Sequence, residues 1–119
     1  MEENQTLEFN QFVNLISGNL RIDSDLNTPR STNRFVQHIN DTRISVFIGR
    51  ITIIHLTFES LYQCYLETIS NNEIYNKNVC QTILPNQTRN HGCTVHVIGM
   101  IFVRLKLMTR ISDRNYQII

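Results

Sequence analysis

The chain has 119 residues, of which 41% are hydrophobic and 18% are charged, and eleven Lys and Arg against ten Asp and Glu give a net charge of +1. This length suits one hydrophobic core and is short for two, so we expect a single domain over residues 1–119. The balanced charge predicts no nucleic-acid partner and no attraction to an anionic membrane.

The sequence pattern predicts neither a secretory signal nor a membrane-spanning segment. The first residues include two acids and lack a basic stretch followed by an apolar run. No run reaches the roughly 18 apolar residues that a span requires, since the best one, Val95 to Met108, contains three basic side chains. We therefore expect a cytoplasmic protein, with free thiols at Cys64, Cys80 and Cys93 because three cysteines are too few for a disulfide framework.

The amino-terminal third predicts two amphipathic helices. Apolar residues recur at helical spacing from Phe9 to Leu20, and a polar run follows. Thr28-Pro29 then has the pattern of an N-cap and a first helical residue, which predicts a second, short helix. Its apolar residues are Phe35, Val36 and Ile39.

The segment Ile44 to Ile69 carries the strongest periodic signal in the chain, because its apolar positions keep helical spacing over about seven turns. Additional apolar residues in its first half predict a central helix that other helices surround. A further helix is predicted from Asn72 to Leu84, with Pro85 ending it and a polar loop over residues 86–92.

The last apolar segment, Thr94 to Ile111, fits either a helix or a strand. Some of its residues alternate as in a strand, whereas others share one face of a helix. We favour a helix because the preceding elements are all predicted helices and no partner strand is evident. The sequence therefore predicts an all-α domain whose central hydrophobic hairpin pairs the helix Ile44–Ile69 with the helix Asn72–Leu84.

No residue pattern points to an enzyme, a metal centre or a cofactor. The four histidines share no helix face, and Cys93 and His96 form a lone pair where zinc needs three or four ligands. The same pair lacks the orienting group and the oxyanion hole that a Cys/His nucleophile requires. The four glycines stand singly, so a phosphate-cradling loop is absent. We expect no catalytic activity, no metal and no cofactor.

Gly49 and Arg50 lie near the start of the predicted central helix, where glycine costs about 1 kcal/mol relative to alanine. One interpretation is a packing glycine beside a solvent-facing arginine. The other is that Gly49 lets a second helix approach closely while Arg50 pairs with an acid on that helix. The residues alone leave both interpretations open.

Three runs of the chain resemble the Bcl-2 family of apoptosis regulators. They are Thr28-Pro29, Arg34-Phe35 and Ile48-Gly49-Arg50-Ile51-Thr52-Ile53-Ile54. In that family a Thr-Pro step leads into a helix with an Arg-Phe pair, and the central helix opens with Asn-Trp-Gly-Arg-Ile. The family's second motif, Gly-Gly-Trp, has its counterpart by spacing at Asn90-His91-Gly92-Cys93. Both motifs are degenerate, which is typical of a divergent viral member.

The resemblance implies a Bcl-2-like helical bundle whose first helix is short or missing. It implies a viral inhibitor of apoptosis that binds BH3 helices of pro-apoptotic proteins in a hydrophobic surface groove. The chain's own BH3-bearing helix would lie near Leu7 to Leu20, while a rival register at Leu20 to Asp25 leaves too few residues before Gly49. The implied groove residues are Phe12, Ile16, Phe35, Ile39, Phe47, Gly49 and Arg50, with Arg50 meeting an Asp of the ligand.

The family's carboxy-terminal membrane tail has no counterpart in this chain. The resemblance therefore implies a protein of the host cytoplasm that reaches the mitochondrial outer surface through partners and does not insert directly into membranes. The alternative is a small helical homodimeric structural or assembly protein without an apoptotic ligand. A homodimer is also compatible with the first hypothesis, where it would cover the groove.

Overall fold

The computed structural model describes residues 6–119, and of these residues 42% are helical and 25% are in strands. The elements are α1 Phe9–Asn19, β1 Arg34–Ile39, β2 Arg43–Ile48, β3 Thr52–Thr57, α2 Phe58–Ser70, β4 Ile74–Tyr75, α3 Lys77–Ile83, α4 Pro85–Asn90, α5 Thr94–Arg104, β5 Met108–Arg110 and β6 Tyr116–Ile118. The strands form two antiparallel three-stranded sheets, with orders β1-β2-β3 and β4-β6-β5. The prediction of an all-α, Bcl-2-like helical bundle is therefore wrong.

The first half of the predicted central helix is the hairpin of β2 and β3. Eight of the thirteen residues from Ile44 to Leu56 are hydrophobic, and their positions fit a period of two as well as a period of 3.6. Most of these residues are β-branched, which favours strands. The chain turns at Gly49, whose φ of 69° is left-handed. The predicted helix Ile44–Ile69 is thus correct only from Phe58, where α2 begins.

The predicted short helix after Thr28-Pro29 is also wrong, because its apolar residues form β1. Thr28 accepts a hydrogen bond from the Ser31 N–H at 3.1 Å through its side chain, but the chain makes a local turn there instead of a helix. The segment 23–26, which precedes this turn in the chain, runs beside β1. The Asp23 N–H donates to the Val36 carbonyl at 2.7 Å, and the Val36 N–H donates to the Ser24 carbonyl at 2.9 Å. This segment covers the outer edge of β1.

The predicted helix Asn72–Leu84 is divided into a short strand, β4, and a helix, α3, that begins after Asn76. The helix ends just before Pro85, as predicted, and Pro85 is itself the first residue of α4, where its missing N–H is tolerated. Most of the predicted polar loop over residues 86–92 is consequently helical.

The final segment is helical as favoured, but only from Thr94 to Arg104. Lys106 adopts a left-handed φ of 64°, and the chain turns into the hairpin of β5 and β6. The partner strand that appeared to be missing is β6, which follows β5 after a short loop.

The core is centred on α5, whose residues are buried on almost every side. The ring of Phe102 lies 6.3 Å from Phe12 of α1 and 5.5 Å from Tyr75 of β4. The Tyr116 ring of β6 lies directly on the α5 backbone: a Cβ built at Gly99 would meet it at 2.4 Å. The hairpin can pack this closely only because residue 99 is glycine.

One face of the β1-β2-β3 sheet contributes to the core, and the other carries an apolar row made of Phe35, Phe47 and Ile53, which are cross-strand neighbours. We call this the outer face. Phe35 and Phe47 stack with centroids 5.1 Å apart and are half-buried, and Ile53 is exposed. Over residues 6–119, no helix has the length and apolar character needed to cross a membrane.

Candidate functional site

A groove opens where the start of α3, the start of α5 and the loop between β5 and β6 meet. It consists of two hollows, of about 580 Å³ and about 180 Å³, that share His96 and Arg114. We call it the basic groove. The other residues of the larger hollow are Asn76, Lys77, Asn78, Thr88, Gly92, Val95 and Asn115, and those of the smaller one are Thr28, Arg30, Ser31, Arg110 and Asp113.

Asn76 fixes the α3 wall of the groove. Its side-chain oxygen accepts hydrogen bonds from the N–H groups of Asn78 at 3.0 Å and Val79 at 3.4 Å, which caps the helix. Its amide nitrogen donates to Oδ1 of Asn115 at 3.2 Å. Lys77 is the first residue of α3 and is exposed. The cap therefore ties the helix start, with its lysine, to the hairpin loop.

The loop between β5 and β6 is closed by its own hydrogen bonds. The Ile111 N–H donates to the Asn115 carbonyl at 3.0 Å, and the Asn115 amide donates to Oγ of Ser112 at 3.1 Å. The Asp113 carboxylate accepts from Arg110 and from Arg30, each at 3.1 Å. These bonds give the loop a fixed shape and link it to the segment before β1.

His96 joins α5 to the hairpin, since its Nδ1 lies 3.1 Å from the Tyr116 hydroxyl. Burial lowers the pKa of His96 below its ordinary value of 6.5, and the charges of Arg34 and Arg110 lower it further, against the opposing effect of Asp113. Burial raises the pKa of Tyr116. At neutral pH the imidazole is therefore uncharged, and it shares one hydrogen bond with the phenol whose direction depends on which ring nitrogen carries the proton.

Positive charge is concentrated at the groove. Four of the eleven Lys and Arg side chains line it, and a fifth acts on His96 from beside it. Of the ten acids, one lines it within the part of the chain that the structure describes. The five cations are Arg30, Arg34, Lys77, Arg110 and Arg114, and the acid is Asp113.

Two of these arginines differ in their surroundings, since Arg34 is buried and in no ion pair of the described residues, whereas Arg110 is partly exposed and pairs with Asp113. Arg34 is 9% exposed, and across residues 6–119 neither its Nη1 nor Nε of Arg110 has a hydrogen-bond partner. A charge in a low-dielectric surrounding acts more strongly on its neighbours than one in water. The Arg34 side chain therefore adds positive potential to the groove that no ion pair within the described residues cancels.

The aromatic and aliphatic residues of the predicted BH3 groove do not line a common surface. Phe12 and Ile16 of α1 are fully buried in the core. Phe35 and Phe47 meet each other on the outer face, whereas Ile39 is half-buried at the end of β1 and packs against the core. The structure brings only the two phenylalanines of the sheet together.

Gly49 and Arg50 occupy an exposed turn between β2 and β3. A Cβ built at Gly49 would meet nothing within 4 Å, so glycine serves the left-handed backbone there and not a close approach of another helix. Arg50 forms no ion pair within the described part of the chain. The helix in which both interpretations placed these residues is absent.

Sequence reasoning missed the residues of the basic groove because they come from four separate segments of the chain. The one local signal was the stretch Arg110 to Asn115, in which polar, turn-forming residues follow an alternating apolar run.

The structure offers no metal centre within residues 6–119, since no group of three or more His, Cys, Asp or Glu is placed to hold a metal ion. Cys64 and Cys80 are buried and Cys93 is half-buried, all as free thiols. Burial raises the pKa of the Cys64 thiol far above its usual range. Neither Cys64 nor Cys80 lines the groove.

No known family model matches this chain, and neither a curated protein nor a solved structure matches it. The resemblance to the Bcl-2 family therefore stays a prediction from the sequence.

Proposed function

We propose that this protein binds double-stranded DNA through the basic groove, mainly by contacts to phosphates. The observation that carries the proposal is a groove lined by four of the eleven cations of the chain, with a fifth, Arg34, buried beside it. Lys77 and Arg114 are exposed and form no ion pair within the described residues, whereas the exposed Arg30 and the partly exposed Arg110 share Asp113. Lysine and arginine contacts of this kind supply most of non-specific DNA affinity.

The local architecture favours DNA over a small anion. Helices α4 and α5 are joined by the short turn His91 to Cys93, which contains Gly92, and a helix-turn-helix has the same order of elements. In that pattern the first residues of the second helix contact base edges in the major groove. Here the start of α5 places Gly92 and His96 in the basic groove, beside the hairpin loop.

The burial of α5 limits how many bases the protein can read. Beyond its first turn, most of the helix is in the core, so it cannot enter a major groove along its length. His96 and the exposed Asn78 are the groove side chains whose polar atoms can form hydrogen bonds with base edges. We therefore expect weak sequence preference and an affinity that depends strongly on salt.

The net charge of +1 predicted no nucleic-acid partner, and the distribution of charge is the reason to propose one. A net charge averages over the whole surface, whereas a phosphate backbone meets one side of it. Because four cations and Asp113 line the groove, the remainder of the chain has seven cations against nine acids and is net acidic.

Inhibition of apoptosis stays an untested prediction, and we do not propose it as the function. The implied BH3 groove requires helices over residues 28–39 and 44–57, and β1, β2 and β3 occupy these positions.

The test is fluorescence anisotropy with a labelled DNA duplex of mixed sequence over a series of salt concentrations. For three to four phosphate contacts, the slope of log affinity against log salt should be about −3. The variant Lys77→Ala/Arg114→Ala should reduce the magnitude of this slope by roughly 1.8. The matched control is Arg43→Ala. Arg43 is exposed at the first residue of β2, whereas Ile48, which pairs with Arg34, is the last residue of that strand. This variant should leave the slope unchanged.

Two further measurements separate the proposal from its competitors. Duplex RNA and single-stranded DNA of the same length should bind more weakly than duplex DNA. Inorganic phosphate at the same ionic strength as the salt series should compete no better than chloride. Absence of duplex binding at low salt, equal losses in Arg43→Ala, or selective competition by phosphate would each contradict the proposal.

A further inference from the structure

The two edges of the β1-β2-β3 sheet differ, because β1 is covered by the segment 23–26 and β3 is open. The Asn40 N–H donates to the Arg43 carbonyl at 3.1 Å, so the backbone groups of Arg43 point toward β1. Along β2 the backbone groups of successive residues point alternately to β1 and to β3. Ile44 and Val46 consequently bond to β3, and the backbone groups of Ile53, His55 and Thr57 point away from β2.

Within residues 6–119, the outward N–H groups of Ile53 and His55 have no backbone or side-chain partner. Gln87 of α4 donates to the His55 carbonyl at 3.3 Å, a long bond that leaves the second lone pair of that oxygen free. Unpaired backbone groups along an edge form a template for another strand.

The edge also lacks the features that usually protect an open strand. β3 contains no Lys, Pro or acid, and its pairing with β2 has no bulge. Ile53 is 38% exposed at the end of the apolar row of the outer face, and the adjacent Ile51 is 88% exposed. Apolar side chains at and beside this edge are therefore exposed to solvent.

We propose that β3 pairs antiparallel with β3 of a second copy of this chain, across a two-fold axis, to form one continuous six-stranded sheet. The charges that flank the strand favour this occupant. Arg50 precedes β3 and Glu59 follows it, and both are exposed and outside any ion pair of the described chain. Antiparallel pairing brings Arg50 of each copy close to Glu59 of the other, whereas parallel pairing would place like charges together.

The test is sedimentation equilibrium of the full chain without DNA, so that its result is independent of the proposed function. The parent should show a concentration-dependent monomer–dimer equilibrium. Ile53→Lys should shift it to monomer, because a lysine on an edge opposes pairing. The control Ile22→Lys changes an isoleucine that is 55% exposed and lies outside the sheet, and it should dimerise like the parent.

Charge reversal tests the antiparallel register. Arg50→Glu and Glu59→Arg should each raise the dimer dissociation constant about tenfold at low salt, since each creates two like-charge contacts. The double variant Arg50→Glu/Glu59→Arg should restore the parent value. Circular dichroism melting confirms that each variant is folded. A monomeric parent, dimers that tolerate Ile53→Lys, or a double variant no tighter than the singles would overturn the proposal.

Discussion

The outer face and the basic groove are built by opposite means. The outer face takes Phe35, Phe47 and Ile53 from three consecutive strands, so its chemistry depends on one local meander. The basic groove takes residues from before β1 to just before β6, so it exists only once α3, α5 and the hairpin have packed. The two surfaces rest on different contacts, and this means that substitutions should affect them separately.

The largest expected effect is on the packing behind the groove. Gly99→Ala places a methyl group against the Tyr116 ring and should lower the free energy of unfolding by about 1–3 kcal/mol. Because the hairpin must shift, duplex binding should weaken as well. Urea denaturation and anisotropy measure the two effects.

The matched control for this change is Gly18→Ala in α1, where a Cβ would meet nothing within 4 Å. It should raise the free energy of unfolding by roughly 1 kcal/mol, because alanine is the better helix former. Equal stabilities of the two variants would contradict the close packing of the hairpin on α5.

On the outer face, Phe47→Ala should lower the free energy of unfolding by about 1–2 kcal/mol through lost burial and the lost stack with Phe35. A double-mutant cycle with Phe35→Ala should give a coupling of about 0.5–1.5 kcal/mol. DNA binding should not change. A loss of duplex affinity in Phe47→Ala would show that the two surfaces are not separable.

A smaller effect is expected from Asp113→Asn in the groove. The ion pairs of Asp113 with Arg30 and Arg110 involve a carboxylate side chain that is 60% exposed, so stability should change by no more than about 0.5 kcal/mol. Duplex affinity should rise a few-fold, because the substitution removes the one acid that competes with phosphates. Asp41→Asn, in the exposed turn between β1 and β2, is the control and should bind like the parent.

The smallest expected effect is a pH dependence that arises from His96. Because its pKa in the folded protein lies below the ordinary 6.5, the unfolded chain binds the proton first as the pH falls. The free energy of unfolding contributed by the neutral imidazole is therefore present above pH 6.5 and decreases as the pH falls through and below this value. His96→Gln should flatten the stability profile in that range, which urea denaturation at several pH values can measure. An unchanged profile would mean that burial does not perturb this histidine.

The helical spacing of apolar residues predicted three of the helices. The run Phe9–Leu20 became α1, and the helices over Phe58–Ser70 and Thr94–Arg104 follow the predicted spacing. The meander was not predicted, because a run as apolar as Ile44–Leu56 fits both periods and only tertiary pairing decides between them. Gly49 and Arg50 were therefore predicted to lie in a helix, whereas they form a turn.

The candidate site could not be predicted from sequence periodicity, for a different reason. Lys77, Arg114 and Arg30 share no motif and no common spacing, and their proximity depends on the Asn76–Asn115 bond and on the packing of Tyr116 against Gly99. Single residues such as His96 were noticed for possible metal binding, but their neighbours belong to distant segments.

The segment that lies along β1 limits how large an assembly can become. Asp23, with a φ of 74°, starts a short stretch whose N–H and carbonyl groups bond to the outward groups of β1. A sheet whose β1 edge is covered can be extended only at its β3 edge. When two copies pair there, neither copy has an open edge left. Growth then stops at two copies, whereas a sheet with two open edges could polymerise into a filament.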